Sequence, residues 1–366
     1  MSVQQPLATE QPVGELETVA TFDGPMPTGV TVSQRGRIFV NFPKWGDDVA
    51  FTVGEVRDGQ VVAYPDEATN RTDPKNPAAA LVSVQSVVVD PVDRLWILDT
   101  GSALFQQTEY GGPKLLCVDL KLDKVVQRIL FPRDVATATS YLNDIRFDLR
   151  RNGGIGYITD SAPGGPNGIV VVDLVSGESW RRLHEHPSTK AESPQHFMPV
   201  VEGQPLFERP PDGPPKPLRF GSDGIAISAD GGRLYYCPLM SRRLYSVPTD
   251  VLADRSQSDR HASVRDEGDK GGAADGLESD ADGTIYATNY EHDAILRRRR
   301  DGEWETLVHD PRLLWPDTLS VATDGYLYVT ANQLHRQARF HRGQDLRRKP
   351  YALFRTRIDA QPVLLR

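Results

Sequence analysis

One pattern recurs six times along this chain, and it constrains the fold more than any other feature. Each copy has a small or polar opening, an alternating or continuous apolar run, a tight turn and a second apolar or aromatic run. The copies read PTGVTVSQRGRIFVNF, VQSVVVDPVDRLWILDTG, LNDIRFDLRRNGGIGYITDS, SDGIAISADGGRLYYCPL, ADGLESDADGTIYATNY and PDTLSVATDGYLYVTANQ. The turns fall at Arg35-Gly36, Asp93-Arg94, Asn152-Gly153, Asp230-Gly231, Asp282-Gly283 and Asp324-Gly325. Period-two runs joined by such turns are β-hairpins.

Successive copies start 42 to 80 residues apart, and a four-stranded propeller blade needs roughly 40–50 residues. The intervening segments supply two further strands, as in KLLCVDL with VVQRILF and GIVVVDL with SWRRLHE. A lone sheet would leave both faces wet, whereas stacking six around an axis buries them and removes most free edges. The expected fold is therefore all-β: a six-bladed β-propeller with four antiparallel strands per blade. The early strand LETVATF and the late segment KPYALFRTRID, read as a strand pair, are expected to close the ring by sharing one blade. Residues 1–15 are expected to be a flexible N-terminus and 16–366 a single domain. The Pro-containing polar intervals 42–80 and 184–219 are read as loops shaping the channel mouth.

Composition narrows the function. A net charge of −8 and a pI near 5.6 argue against a nucleic-acid partner. No run of 18 apolar residues offers a membrane span. The start, MSVQQPLATEQPVGE, has neither a basic nor an apolar segment of a signal peptide, so a cytoplasmic location is expected, or a secreted one if a leader has been removed. Cys117 and Cys237 stand in separate apolar runs and are expected to be buried free thiols. No Gly-rich loop links a strand to a helix, so no nucleotide cofactor is expected. Gly-x-Ser-x-Gly is absent as well.

The inner strand of each blade lines the axis, so its opening residue points to one end of the channel. That ring is Thr28, Gln85, Asn143, Asp223, Asp275 and Asp317. Carboxyls sharing a small volume raise one another's pKa or recruit a cation. Asp275 and Asp223 are the candidate catalytic groups, and Asn143, Asp223 and Asp275 the candidate ligands for Ca²⁺ or another divalent cation. The ends of the returning strands form a second candidate ring: Asn41, Asp99, Asp160, Asn289 and Asn332. Trp45, Tyr290 and Trp315 are candidate stacking partners for a small aromatic ligand, and His335 is a further mouth candidate.

RLWILDTG at 94–101, PKLLCVDL at 113–120, YITDS at 157–161 followed by GIVVVDL, SWR at 179–181 and GSDGIAISADGGRLYYCPLMSRRLYSV at 221–247 carry a resemblance to the Yellow and major royal jelly protein family. The resemblance runs from about Phe22 to the C-terminus. It implies a six-bladed propeller. The members it points to include pigment-pathway proteins linked to dopachrome conversion, salivary proteins that bind biogenic amines, and nutritional proteins. More distantly, the chain is similar to the gluconolactonase and regucalcin propellers, which hold a divalent cation. The matching positions here are Thr28, Asn143, Asp223 and Asp275, with Thr28 and Asp223 departing from that pattern's Glu and Asn. The implied function is binding of, or action on, a small organic molecule at the channel mouth. An enzyme is expected, either a dopachrome-type tautomerase or isomerase or a metal-assisted lactone hydrolase. A non-catalytic amine binder and a protein-interaction scaffold are the alternatives.

Overall fold

In each predicted hairpin the returning run pairs with the run before it, and two more strands extend the sheet outward. The computed structural model describes residues 11–151, 153–256 and 263–366. Blade 1 comprises Val30–Val32, Ile38–Asn41, Val53–Arg57 and Gln60–Ala63. Blade 2 comprises Val84–Val89, Arg94–Thr100, Pro113–Asp119 and Lys124–Leu130. Blade 3 is built from Leu142–Asp148, Ile155–Asp160, Gly168–Asp173 and Ser179–Arg182, and blade 4 from Ser222–Ile227, Arg233–Pro238, Arg243–Pro248 and Arg265–Asp269. Blade 5 contains Leu277–Ser279, Ile285–Asn289, Ala294–Arg298 and Trp304–His309. Blade 6 contains Pro316–Val321, Tyr326–Ala331 and Tyr351–Arg357, with Glu17–Phe22 as its outer strand. The two ends of the chain thus close the ring as expected. The late segment, however, is one strand and not a pair; its partner is Glu17–Phe22, from the other end of the chain.

Burial follows position in the blade. The inner strands Leu142–Asp148 and Ser222–Ile227 are buried throughout, while the outer Lys124–Leu130 alternates exposed and half-buried residues and buries only Ile129. The turns need a left-handed residue, and Gly283 and Gly325 supply it at φ 85° and 83°. In the third copy, Asn152 lies outside the described residues.

The core is not central. Among the described residues, six buried apolar clusters fill the spaces between neighbouring blades. Both cysteines are free and buried there, Cys117 between blades 2 and 3 and Cys237 between blades 4 and 5. Hydroxyls stitch the inner strands together. Ser86 Oγ donates to Asp144 Oδ1 at 2.6 Å, Ser279 Oγ donates to Ile227 O at 2.6 Å, and Ser320 Oγ accepts from Val32 N at 3.2 Å.

Two intervals carry more secondary structure than expected. The interval 42–80 is not one loop, because VGEVR and QVVA form the outer strands of blade 1 around the Asp58-Gly59 turn. The interval 184–219 carries two short hairpins, Val200–Val201 with Gln204–Pro205 and Phe207–Glu208 with Lys216–Pro217. Of the expected flexible N-terminus, residues 1–10 lie outside the described residues, while Val13 pairs with His309 through bonds of 2.9 and 3.0 Å.

A feature absent from the sequence reading closes the far end of the channel. Beyond Arg357 the chain crosses beneath the blades. Gln361 O accepts from Ala281 N at 2.8 Å, Leu365 O from Leu149 N at 2.9 Å, and Arg366 Nε donates to Pro91 O at 2.8 Å. Leu365 is buried in the apolar cluster between blades 3 and 4.

Candidate functional site at the channel mouth

Gln85, Asn143, Asp223 and Asp317 are each the second residue of an inner strand, while Thr28 and Asp275 lie two residues before one. All six are buried. Four of them, Gln85, Asn143, Asp223 and Asp275, line a narrow slot with a cavity volume of 20 Å³. Trp45, Phe105, Tyr141, Phe220 and Arg339 form much of its wall. A volume of about 10–15 Å³ admits one water-sized group, so the slot accepts a single functional group and no ring. Outside it lies a vestibule of 370 Å³, and Trp45, Phe105, Phe220 and Arg339 line both spaces.

Among the described residues, no basic side chain pairs with Asp223, Asp275 or Asp317. Burial is the largest influence on all three and favours their protonated forms. Asp223 lies well above the usual carboxylate range through burial, then through the charges of Asp275 and Asp317. Asp317 is raised by burial and by Asp275, although Asn332 Nδ2 donates to its Oδ2 at 2.7 Å. Asp275 is raised to about 6 by burial, and its rise is limited by hydrogen bonds from Trp315 and Asp223. Trp315 Nε1 donates to Asp275 Oδ2 at 2.7 Å. Asp223 and Asp275 are thus neighbouring carboxyls that influence one another's protonation, both held above the usual carboxylate range.

Beneath the ring, Arg146 pairs with Asp144 at 2.8 Å and with Glu278 at 3.3 Å, and donates to Leu277 O at 2.7 Å. Arg146 belongs to blade 3 and Glu278 to blade 5. An ion pair between non-adjacent blades crosses the channel. Arg146 and Glu278 line a separate cavity beyond the ring, whereas the vestibule adjoins the slot through four shared residues.

Apart from Trp45, the other predicted residues do not line the slot but stand behind it. Asp99 pairs with Lys114 at 2.7 Å, both fully buried, and accepts from Val82 N and Ser83 N. Asp160 pairs with Arg181 at 2.6 Å and accepts from Tyr141 N at 2.8 Å. Asn332 bridges Pro27 O and Asp317, and Asn289 accepts from Glu291 N. Asn41 Nδ2 donates to Thr28 Oγ1 at 2.8 Å and to Val84 O and Gln85 O. Tyr290 stacks on Trp315 at 4.2 Å and 11°, and Trp315 stacks on His335 at 5.9 Å. His335 Nε2 bonds Glu202 Oε2 at 2.8 Å. Trp315 itself sits at φ 56°, a conformation costing a bulky residue about 1–2 kcal/mol. The stack and the bond to Asp275 hold it there.

Trp45 is the predicted aromatic that reaches the slot. Its Nε1 donates to Tyr141 Oη at 2.8 Å, and Tyr141 Oη donates to Gln85 Oε1 at 2.9 Å. Sequence reasoning missed Phe105, Tyr141, Phe220 and Arg339. Tyr141 and Phe220 stand one and two residues before inner strands, a register that could have pointed to them. Phe105 and Arg339 come from irregular connections that carry no repeat signal.

The three predicted cation ligands, Asn143, Asp223 and Asp275, line the same slot. Among the described residues no group of three or more His, Cys, Asp or Glu is placed to hold a metal ion. The Thr28 hydroxyl is engaged by Asn41 and Gln85 O, and Asp275 Oδ2 by Trp315.

Comparison with known proteins matches the family described as Major royal jelly protein to residues 82–359. Major royal jelly protein 3 of Apis mellifera is 27% identical over 58% of this chain and 36% of its own length. Protein yellow of Drosophila erecta is 25% identical over 61% of this chain and 41% of its own. The matched segments span less than half the length of these curated relatives. In fold, the chain resembles the solved structure of regucalcin from Agrobacterium tumefaciens, described as a calcium-binding protein. The TM-score is 0.56 at 14% identity, over 95% of this chain and 98% of that one. The family match, over most of the propeller, establishes that the chain belongs to the major royal jelly protein family.

Proposed function

We propose that the channel mouth takes a small planar organic molecule and moves a proton on it, as a tautomerase or isomerase. The observation that carries this reading is the buried Asp223–Asp275 pair at the base of a slot sized for one functional group. A base is most effective near the working pH, and Asp275 is raised to about 6. Asp275 takes a proton from the group entering the slot, and Asp223 returns one elsewhere on the same molecule. The proton balance closes without a co-reactant. Trp45, Phe105 and Phe220 flank the ring in the vestibule. Gln85 and Asn143 orient the group in the slot, since the Gln85 amide nitrogen and Asn143 Oδ1 are not used in the bonds to Tyr141 and Ser161. Tautomerisation of the dopachrome type, implied by the family resemblance, is one reaction of this class.

An ionised Asp275 among aromatic rings would also attract an ammonium group, and this favours amine binding as the second reading. In the hydrolytic reading, Asn143, Asp223 and Asp275, which line the same slot, would hold Ca²⁺ or another divalent cation, with Asp275 Oδ2 already bonded to Trp315. The test is conversion of dopachrome followed by absorbance for wild type, Asp275→Asn and Asp223→Asn. Each variant should lose about 100-fold or more in kcat. Full activity in both variants, or no turnover by the wild type, overturns the tautomerase reading.

A further inference from the structure

Arg339 stands between the slot and the vestibule and lines both. Its surroundings differ from those of the other arginines near this end of the propeller. Arg347 pairs with Asp47 at 2.7 Å and Asp345 at 2.6 Å, and Arg242 forks onto Glu291 at 2.7 and 2.9 Å. The Arg339 Nε is buried with no acceptor, and its one carboxylate neighbour among the described residues, Glu208, stands 3.7 Å away. That separation is too long for a hydrogen bond. The guanidinium is held instead by rings, with its Cζ 5.1 Å from the centroid of Phe105 and 4.7 Å from that of Phe340. A guanidinium carries five N–H donors, and its side chain here is only 26% exposed. Donors removed from water and left without acceptors are costly. An incoming oxyanion satisfies them, and a planar carboxylate matches the guanidinium fork.

We propose that Arg339 is the anion-binding residue of the vestibule, so that the molecule taken by the channel mouth is an aromatic carboxylate. This rests on the reading of the mouth as a small-molecule site. The ring lies among Trp45, Phe105 and Phe220, the carboxylate meets Arg339, and a second polar group reaches the Asp223–Asp275 pair. Glu208 lines the same vestibule and opposes the anion at the weakly paired guanidinium. Removing its charge should strengthen binding.

The test uses benzoate, with neutral benzamide and cationic benzylamine as matched probes, titrated by calorimetry into the full chain. Benzoate should bind at least about tenfold tighter than benzamide or benzylamine, as expected for a charge-assisted pair. Arg339→Gln should erase that advantage while leaving benzamide affinity within about twofold. Arg339→Lys, which keeps the charge but not the fork, should retain part of the preference and guards against a folding defect in Arg339→Gln. Glu208→Gln should improve benzoate binding severalfold. Benzoate binding no tighter than benzamide, equal benzoate preference in Arg339→Gln, or no binding of any probe overturns the proposal. The preference should survive Asp275→Asn. Full activity in Asp275→Asn and Asp223→Asn counts against the proton-transfer reading and leaves the Arg339 result standing.

Discussion

Trp315 Nε1 donates to Asp275 Oδ2 at 2.7 Å, joining the aromatic stack of the mouth to the ring carboxyl raised to about 6. The bond favours the charged form of Asp275, so removing it pushes the pKa up. Trp315→Phe keeps the stack on Tyr290 and deletes the donor. The expected result is a titration of Asp275 moved above about 6 and a stability loss of about 1–2 kcal/mol. A pH profile and a denaturation curve of the variant check both.

Stability should fall as pH rises through the acid range. In the folded protein Asp275 is raised from 3.8 to about 6. Its stabilising effect is therefore complete below about pH 4 and is lost as the pH climbs through about 6. Asp223 and Asp317 shift in the same direction. Asp275→Asn should be more stable than wild type near pH 8 by about 3 kcal/mol, with the gain disappearing near pH 4. Urea denaturation at the two pH values measures this. An equal difference at both would show that Asp275 is not raised.

Lys114 and Asp99 test the support behind the slot. Both are fully buried, and their ion pair spans 2.7 Å. Lys114→Met leaves an uncompensated carboxylate in the core, which costs about 3–5 kcal/mol. The denaturation midpoint should drop accordingly, and a loss below about 1 kcal/mol would show that the pair does not support the slot.

The hairpins were legible because local chemistry makes them: period-two runs and Asp-Gly turns work without distant partners. The inner-strand register was legible for the same reason, and it located Gln85, Asn143, Asp223 and Asp275 at one slot. What the polar atoms do depends on neighbours far along the chain. Asp99 and Asp160 look like open carboxylates in the sequence, yet Lys114 faces Asp99 across the sheet and Arg181 reaches Asp160. A basic residue opposite an acidic one in the next strand was the available signal for Lys114. Arg339 and Phe105 meet the slot only through tertiary packing of irregular connections, and no periodicity marks them.

The C-terminal segment offers a separate test. Leu365 is 4% exposed, between blades 3 and 4, and its carbonyl accepts from Leu149 N. Leu365→Ala should destabilise the protein by about 2 kcal/mol, read as a lower melting temperature. Deleting 361–366 should lower it further, because the bonds from Ala281, Leu149 and Arg366 go with it. Unchanged melting in the deletion would show that the segment does not clasp the blades.

The most direct measurement is a ¹³C NMR titration of the aspartate carboxyls, with Asp275 and Asp223 assigned by their Asn variants. The expected result is an Asp275 signal titrating near 6 and an Asp223 signal titrating well above the usual carboxylate range. Asp275→Asn should remove the first signal and lower the second, because the charge of Asp275 helps to raise Asp223. Both carboxyls titrating near 3.8 would contradict their raised values and, with them, the acid–base reading of the channel mouth.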